Sequence, residues 1–142
     1  MSDTIPVEHL FSLHADTVST SPVMLSNGPQ GTRMIATVTG GTFEGPKLKG
    51  SVANCAGGDW VTIRDDGTFR LDVRLALETH DGAVILMTYN GIGRRADGRT
   101  VVQAAPTFET GDDRYAWLNG IQAVASGETN EAGVAYEVYA LL

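Results

Sequence analysis

From Thr68 to Glu78 the chain alternates without a break. Phe69, Leu71, Val73, Leu75 and Leu77 fall on one parity, and Thr68, Arg70, Asp72, Arg74, Ala76 and Glu78 fall on the other. A period of two puts successive side chains on opposite faces, so this segment is a half-buried strand. Asp65-Asp66-Gly67 precedes it and His80-Asp81-Gly82 follows, leading into the apolar run Ala83 to Asn90. Asp-Gly between two such runs is a strong short-range hairpin signal, and the stretch from Trp60 to Asn90 therefore reads as a three-strand meander.

The same pattern continues on both sides. Leu10 to Thr17 alternates in part through Phe11, Leu13 and Ala15, and further strands are expected near Arg33 to Phe43, Leu48 to Asn54, Thr100 to Thr107, Ala116 to Ser126 and Val134 to Leu141. The last two would be joined by a turn at Gly127-Glu128-Thr129-Asn130. This gives roughly eight to ten short strands and almost no helix, the spacing of a sandwich or barrel. Meander order favours an up-and-down antiparallel β-barrel, whose closure removes exposed edges. Seventeen glycines punctuate the chain too often for long helices. Gly40-Gly41 and Gly120 fall inside expected strands, where they would mark bends or bulges. At 142 residues the chain is read as one domain, residues 1–142.

Charge narrows the partners. Ten Lys and Arg against 17 Asp and Glu give a formal net charge of −7, the wrong sign for a phosphate backbone. Nucleic acid is not expected as a partner, and the longest strongly apolar stretch, Ala83 to Met87, is far too short to span a bilayer. Arg94, Arg95 and Arg99 beside Asp97 read as a solvated turn. No basic start or long apolar stretch marks a secretion signal, and the lone Cys55 excludes an internal disulfide, which together point to the cytoplasm. Cys55 has no evident base beside it and reads as a buried spectator thiol. His9, His14 and His80 have no spacing that suits a metal, so neither a metal nor another cofactor is expected.

Three polar and aromatic groups stand out. Asp72, Arg74 and Glu78 share a strand face that either meets water or lines a polar lumen, where Arg74 would hold a developing oxyanion. Tyr115, Trp117 and Asn119 would share another face, as core or as pocket wall. Gly57-Gly58-Asp59-Trp60 delivers a carboxylate and an indole at a strand start. There Asp59 either caps its own turn or, beside an apolar ring, acquires a raised pKa and acts as acid or base.

In this order the segments resemble the family known as domain of unknown function 3237, also uncharacterised protein family 0311. The resemblance rests on Gly31-Thr32-Arg33-Met34-Ile35, Gly40 to Gly50, Gly57-Gly58-Asp59-Trp60, Leu71-Asp72-Val73-Arg74, Thr79-His80-Asp81-Gly82-Ala83, Phe108-Glu109-Thr110 and Tyr115-Ala116-Trp117-Leu118-Asn119. It implies a calycin-like barrel and favours one shared pocket. Asp59, Arg74 and Tyr115 would carry catalysis, and Arg33, Trp60, Glu109, Trp117 and Asn119 would bind substrate. Two functions compete: a small-molecule enzyme using acid–base chemistry (lyase, isomerase or cyclase), and a non-catalytic barrel binding a small apolar or aromatic acid. A third is a scaffold whose outer face forms a homo-oligomer. Whether Asp59, Arg74 and Asn119 converge in one cavity is the observation that bears most on the site.

Overall fold

A computed structural model describes residues 3–142. Of the described residues, 63% are in strands. The strands are β1 (Val7–Asp16), β2 (Val23–Gly28), β3 (Gly31–Thr37), β4 (Gly40–Glu44), β5 (Lys49–Val52), β6 (Gly58–Ile63), β7 (Phe69–Thr79), β8 (Val84–Ala96), β9 (Arg99–Ala104), β10 (Thr107–Glu109), β11 (Ala123–Asn130) and β12 (Gly133–Leu141). All pairings are antiparallel, and the sheet closes into a barrel because β7 bonds to β8.

Twelve strands exceed the expected eight to ten for a physical reason: three long staves each break in two. β3 and β4 form one stave interrupted at Val38-Thr39, and β5 and β6 form the next, interrupted by Ala53 to Gly57. Both halves of that second stave pair with the same edge of β7, β5 near its end and β6 near its start. β9 and β10 likewise share one edge of β8. Eight staves therefore close the ring in chain order, an up-and-down barrel, while β2 lies outside on β3. At the first break Gly41 has φ +145, and a Cβ there would collide with the His14 carbonyl oxygen, so the wall can bend only around glycine.

The Trp60–Asn90 meander stands as expected. The apolar row of β7 faces inward, with Leu71, Val73, Leu75 and Leu77 buried and Asp72, Arg74 and Glu78 exposed. In β1 the pairing slips between His9 and Phe11, which lets the neighbours Leu10 and Phe11 both bury.

Four expectations are corrected. Ala116 to Ser126 is not one strand: Asp113–Gly120 forms a 3-10 helix, η1, and β11 begins at Ala123. Asp112 starts the helix, its side chain accepting from the Arg114 amide, and Gly120 ends it instead of bending a strand. Gly127 to Asn130 belongs to β11, which turns into β12 only at Glu131-Ala132, with Asn130 Oδ1 accepting the amides of Ala132 and Gly133. Cys55 is exposed in the loop between β5 and β6.

The two ends of the barrel differ. At one end η1 supplies Tyr115 and the fully buried Leu118 to the core that also holds Phe11, Phe43 and Phe108. Phe11 meets Phe43 and Phe108 edge-on, at centroid distances of 5.5 and 5.9 Å. This end is packed shut. Toward the other end the inward side chains leave a cavity.

Candidate active site in the barrel lumen

The cavity is about 330 Å³ and is walled by apolar side chains from most staves, among them Met34, Val61, Phe69, Leu71, Val102 and Val134. Thr17, Thr100 and Thr129, from the ends of the staves, also line it. Within this wall stand three hydrogen-bonding acids: Asp59, Tyr89 and Tyr136.

Strand alternation aims Asp59. On β6, Asp59 and Val61 turn inward while Trp60 between them is 56% exposed on the outer wall. The preceding glycines allow the close approach this needs, since a Cβ on Gly58 would sit 2.6 Å from the Ala36 carbonyl and one on Gly57 2.9 Å from that of Arg74. One carboxyl oxygen, Oδ1, accepts the Asp72 backbone amide at 3.1 Å. Burial outweighs that bond and pushes the Asp59 pKa up to about 7, with the Asp72 charge adding to the rise. A carboxyl in this state is protonated in a large fraction of molecules at neutral pH, so it can both give and take a proton.

Tyr89 comes from β8, opposite Val73, which in turn faces Asp59 on β6. Tyr136 comes from β12, and the two phenol rings meet edge-on with centroids 5.5 Å apart. Burial is the main cause raising both tyrosine pKa values, and the Asp59 charge contributes to each. Both hydroxyls can donate and accept, so whichever of the two phenols gives its proton to the other, the second keeps a proton for another acceptor. Neither tyrosine stands out in the sequence. The available signal is parity: on strands whose apolar partners face inward, a tyrosine of the same parity puts its hydroxyl in the lumen.

The expected site residues do not converge. Arg74 is exposed on the outer face of β7, where it borders a surface cleft of about 360 Å³ together with Ile35, Cys55, Trp60 and Asp72. Because inward and outward positions alternate, Arg74 and Asp59 lie on opposite sides of the wall. Arg33 is also turned outward, between β2 and Trp60, with its Nε buried and unpartnered. The outer cleft keeps Arg74 and Asp72 in water, whereas the lumen holds its acids in a low-dielectric wall, where electrostatic effects are stronger.

The remaining candidates close the packed end. Asn119 accepts the Thr110 amide at 2.8 Å and donates to its carbonyl at 3.0 Å, and Thr110 Oγ1 donates to the Val84 carbonyl. Tyr115 donates its hydroxyl to both Asp81 oxygens at 2.9 Å. Thr79 and Arg114 also hold Asp81, and the hydroxyl bond from Thr79 is the main cause keeping its carboxyl below the usual range. Burial and that same carboxylate raise the Tyr115 pKa. Trp117 faces outward under the Lys47 ammonium, 5.3 Å from the ring centroid, and Glu109 is exposed on β10. These residues latch η1 across the closed end. They do not share one face, because a 3-10 turn brings together positions three apart, here Tyr115 and Leu118, and not positions two apart.

Among the described residues no group of three or more His, Cys, Asp or Glu is placed to hold a metal ion, and no helix is long and apolar enough to cross a membrane.

The family model described as a protein of unknown function, DUF3237, matches residues 5–141. The chain belongs to this family. A β-barrel-like protein of Acinetobacter baumannii is similar in structure, with a TM-score of 0.90 and 30% identity over 100% of this chain and 99% of that one. A structure titled as an enzyme from Penicillium herquei has a TM-score of 0.72 and 28% identity, covering 100% of this chain and 98% of that one. A Penicillium herquei protein named hydroalkoxylation enzyme phnH is 34% identical over 92 residues. That aligned stretch is 64% of this chain and 54% of the relative.

Proposed function

We propose that this protein is a small-molecule enzyme that runs acid–base chemistry in the barrel lumen, with Asp59 as the group that moves the proton. The observation that carries this reading is a carboxyl with a pKa near 7 beside two tyrosine hydroxyls in a largely apolar cavity. The relative's name supports one member of the class, a cyclase that adds a hydroxyl across a carbon–carbon double bond.

Such a step needs no electron acceptor. Protonated Asp59 gives its proton to one alkene carbon, the substrate hydroxyl oxygen bonds to the other, and the hydroxyl proton returns to the Asp59 carboxylate. One C–H and one C–O bond form, one O–H bond and one π bond are lost, and the substrate is isomerised to a cyclic ether. An acid of pKa near 7 is too weak to protonate an isolated alkene, so the double bond must be activated by conjugation. A phenol of the Tyr89–Tyr136 pair donates to the oxygen on which charge develops, and the apolar wall keeps water from competing for the reactive carbon.

The test is a screen of conjugated hydroxy-alkenes with wild type and Asp59→Asn. Asp59→Asn should lose about 100-fold or more in kcat while remaining folded, the usual contribution of a positioned general acid–base group. Full turnover in Asp59→Asn would refute the assignment. A tightly bound ligand recovered unchanged after long incubation would favour a non-catalytic carrier using the same lumen.

A further inference from the structure

The lining of the lumen also restricts which molecules enter it, an inference that rests on the lumen being the reaction site. Among the described residues, no Lys, Arg or His lines the cavity. The cations around the barrel are turned away or occupied. Arg70 and Arg74 are exposed on the outer face of β7, and Arg94 is exposed beside the buried Gly93 of β8. At the β8–β9 turn, Arg95 donates to Thr100 Oγ1 at 2.6 Å and to the Gly98 carbonyl at 2.9 Å. Arg99 pairs with Glu128 at 2.9 Å. At the β6–β7 turn Arg64 donates to Thr68 Oγ1 at 2.8 Å.

A carboxylate entering this space would exchange water for a hydrocarbon wall with no counter-charge, beside a second carboxyl group. Charges are buried only when paired. A neutral oxygen meets the opposite situation. Tyr89 and Tyr136 both line the cavity with their rings edge-on, so a phenol proton of the pair is available to a ligand acceptor, and Asp59 has an oxygen not engaged by the Asp72 amide. Apart from Thr17, Thr100 and Thr129 at the stave ends, the remaining wall is aliphatic and aromatic, and about 330 Å³ is at the small end of the range for ligand pockets.

We propose that the lumen selects uncharged, largely hydrocarbon molecules bearing a hydroxyl or carbonyl oxygen, of about the size of two fused rings, and rejects organic carboxylates.

The test compares 2-naphthol, 2-naphthoate and 2-methylnaphthalene by titration calorimetry at pH 6, where naphthol is neutral and naphthoate charged. It uses wild type, the double variant Tyr89→Phe/Tyr136→Phe and Arg74→Ala. Naphthol should bind wild type at least tenfold more tightly than naphthoate, and the double variant should weaken naphthol about five- to tenfold while leaving methylnaphthalene unchanged, the scale of one lost hydrogen bond. Any residual naphthoate binding should disappear in Arg74→Ala, which marks it as the outer cleft. Naphthoate binding as tight as naphthol and surviving Arg74→Ala would overturn the proposal. So would a naphthol affinity that ignores Tyr89→Phe/Tyr136→Phe, or no naphthol binding up to millimolar concentration. These outcomes concern binding alone, whereas failure of the acid–base reading appears in the turnover of Asp59→Asn, so the two are separable.

Discussion

Replacing Asp59 by Asn should stabilise the protein, and only above a defined pH. Asp59 has a pKa of about 7 in the fold against 3.8 when free in solvent. Between those values the native state holds a proton that the unfolded chain has released. Stability contributed by this group is therefore complete below about pH 3.8, falls as pH rises, and is gone above about pH 7. A tenfold difference in proton affinity between the folded and unfolded chain is worth about 1.4 kcal/mol, so the full gap is on the order of 4 kcal/mol. Relaxation and water entry into the lumen reduce this, and about 2–4 kcal/mol is the working range. Asn keeps an oxygen to accept the Asp72 amide but never carries the charge. In urea unfolding the variant should exceed wild type by about 2–4 kcal/mol at pH 8 and match it within about 1 kcal/mol near pH 4. Equal stability at both pH values, or a loss at pH 8, would refute the argument that burial raises this pKa. A variant more stable yet inactive would also fit a site that carries strain for function.

Two further outcomes follow from the placement of the other candidates. Arg74→Ala, on the outer wall, should leave kcat and KM within about threefold of wild type on any substrate the screen finds, the behaviour of surface changes away from special features; a 100-fold loss would return the outer cleft to the mechanism. Leu118→Ala removes a fully buried side chain from the plug and should cost about 2–5 kcal/mol in denaturant unfolding, and a cost under 1 kcal/mol would mean that η1 does not close the barrel end.

The barrel is legible where parity and turn chemistry agree. The uninterrupted alternation of β7 and its flanking Asp-Gly turns determine the meander, and Gly40-Gly41 marks a real break in a stave. The helix η1 escapes a reading by parity because Tyr115, Trp117 and Asn119 fit a two-residue period by chance. The contrary signal is Thr110-Gly111-Asp112-Asp113 just ahead, a capping sequence that begins a helix. β2 is silent because Val23 to Gly28 is short and exposed and shows no buried face. The site is half legible. Asp59 is visible from its glycines, but alternation gives two faces without saying which is inside, so the charged face bearing Arg74 could be drawn toward the lumen as readily as the apolar one. Once the ring closes, the apolar row takes the interior, because burying Arg74 and Glu78 unpaired would cost more than exposing them. That single choice separates Arg74 from Asp59 and brings in Tyr89 and Tyr136.

The most direct measurement is the titration of the Asp59 carboxyl itself, followed by carbon-13 NMR on protein labelled at aspartate, with Asp59→Asn used to identify the resonance. A midpoint near 7 is predicted for the wild-type lumen carboxyl. A midpoint near 4, the ordinary value for aspartate in water, would contradict it and leave the lumen without a carboxyl proton to give at neutral pH.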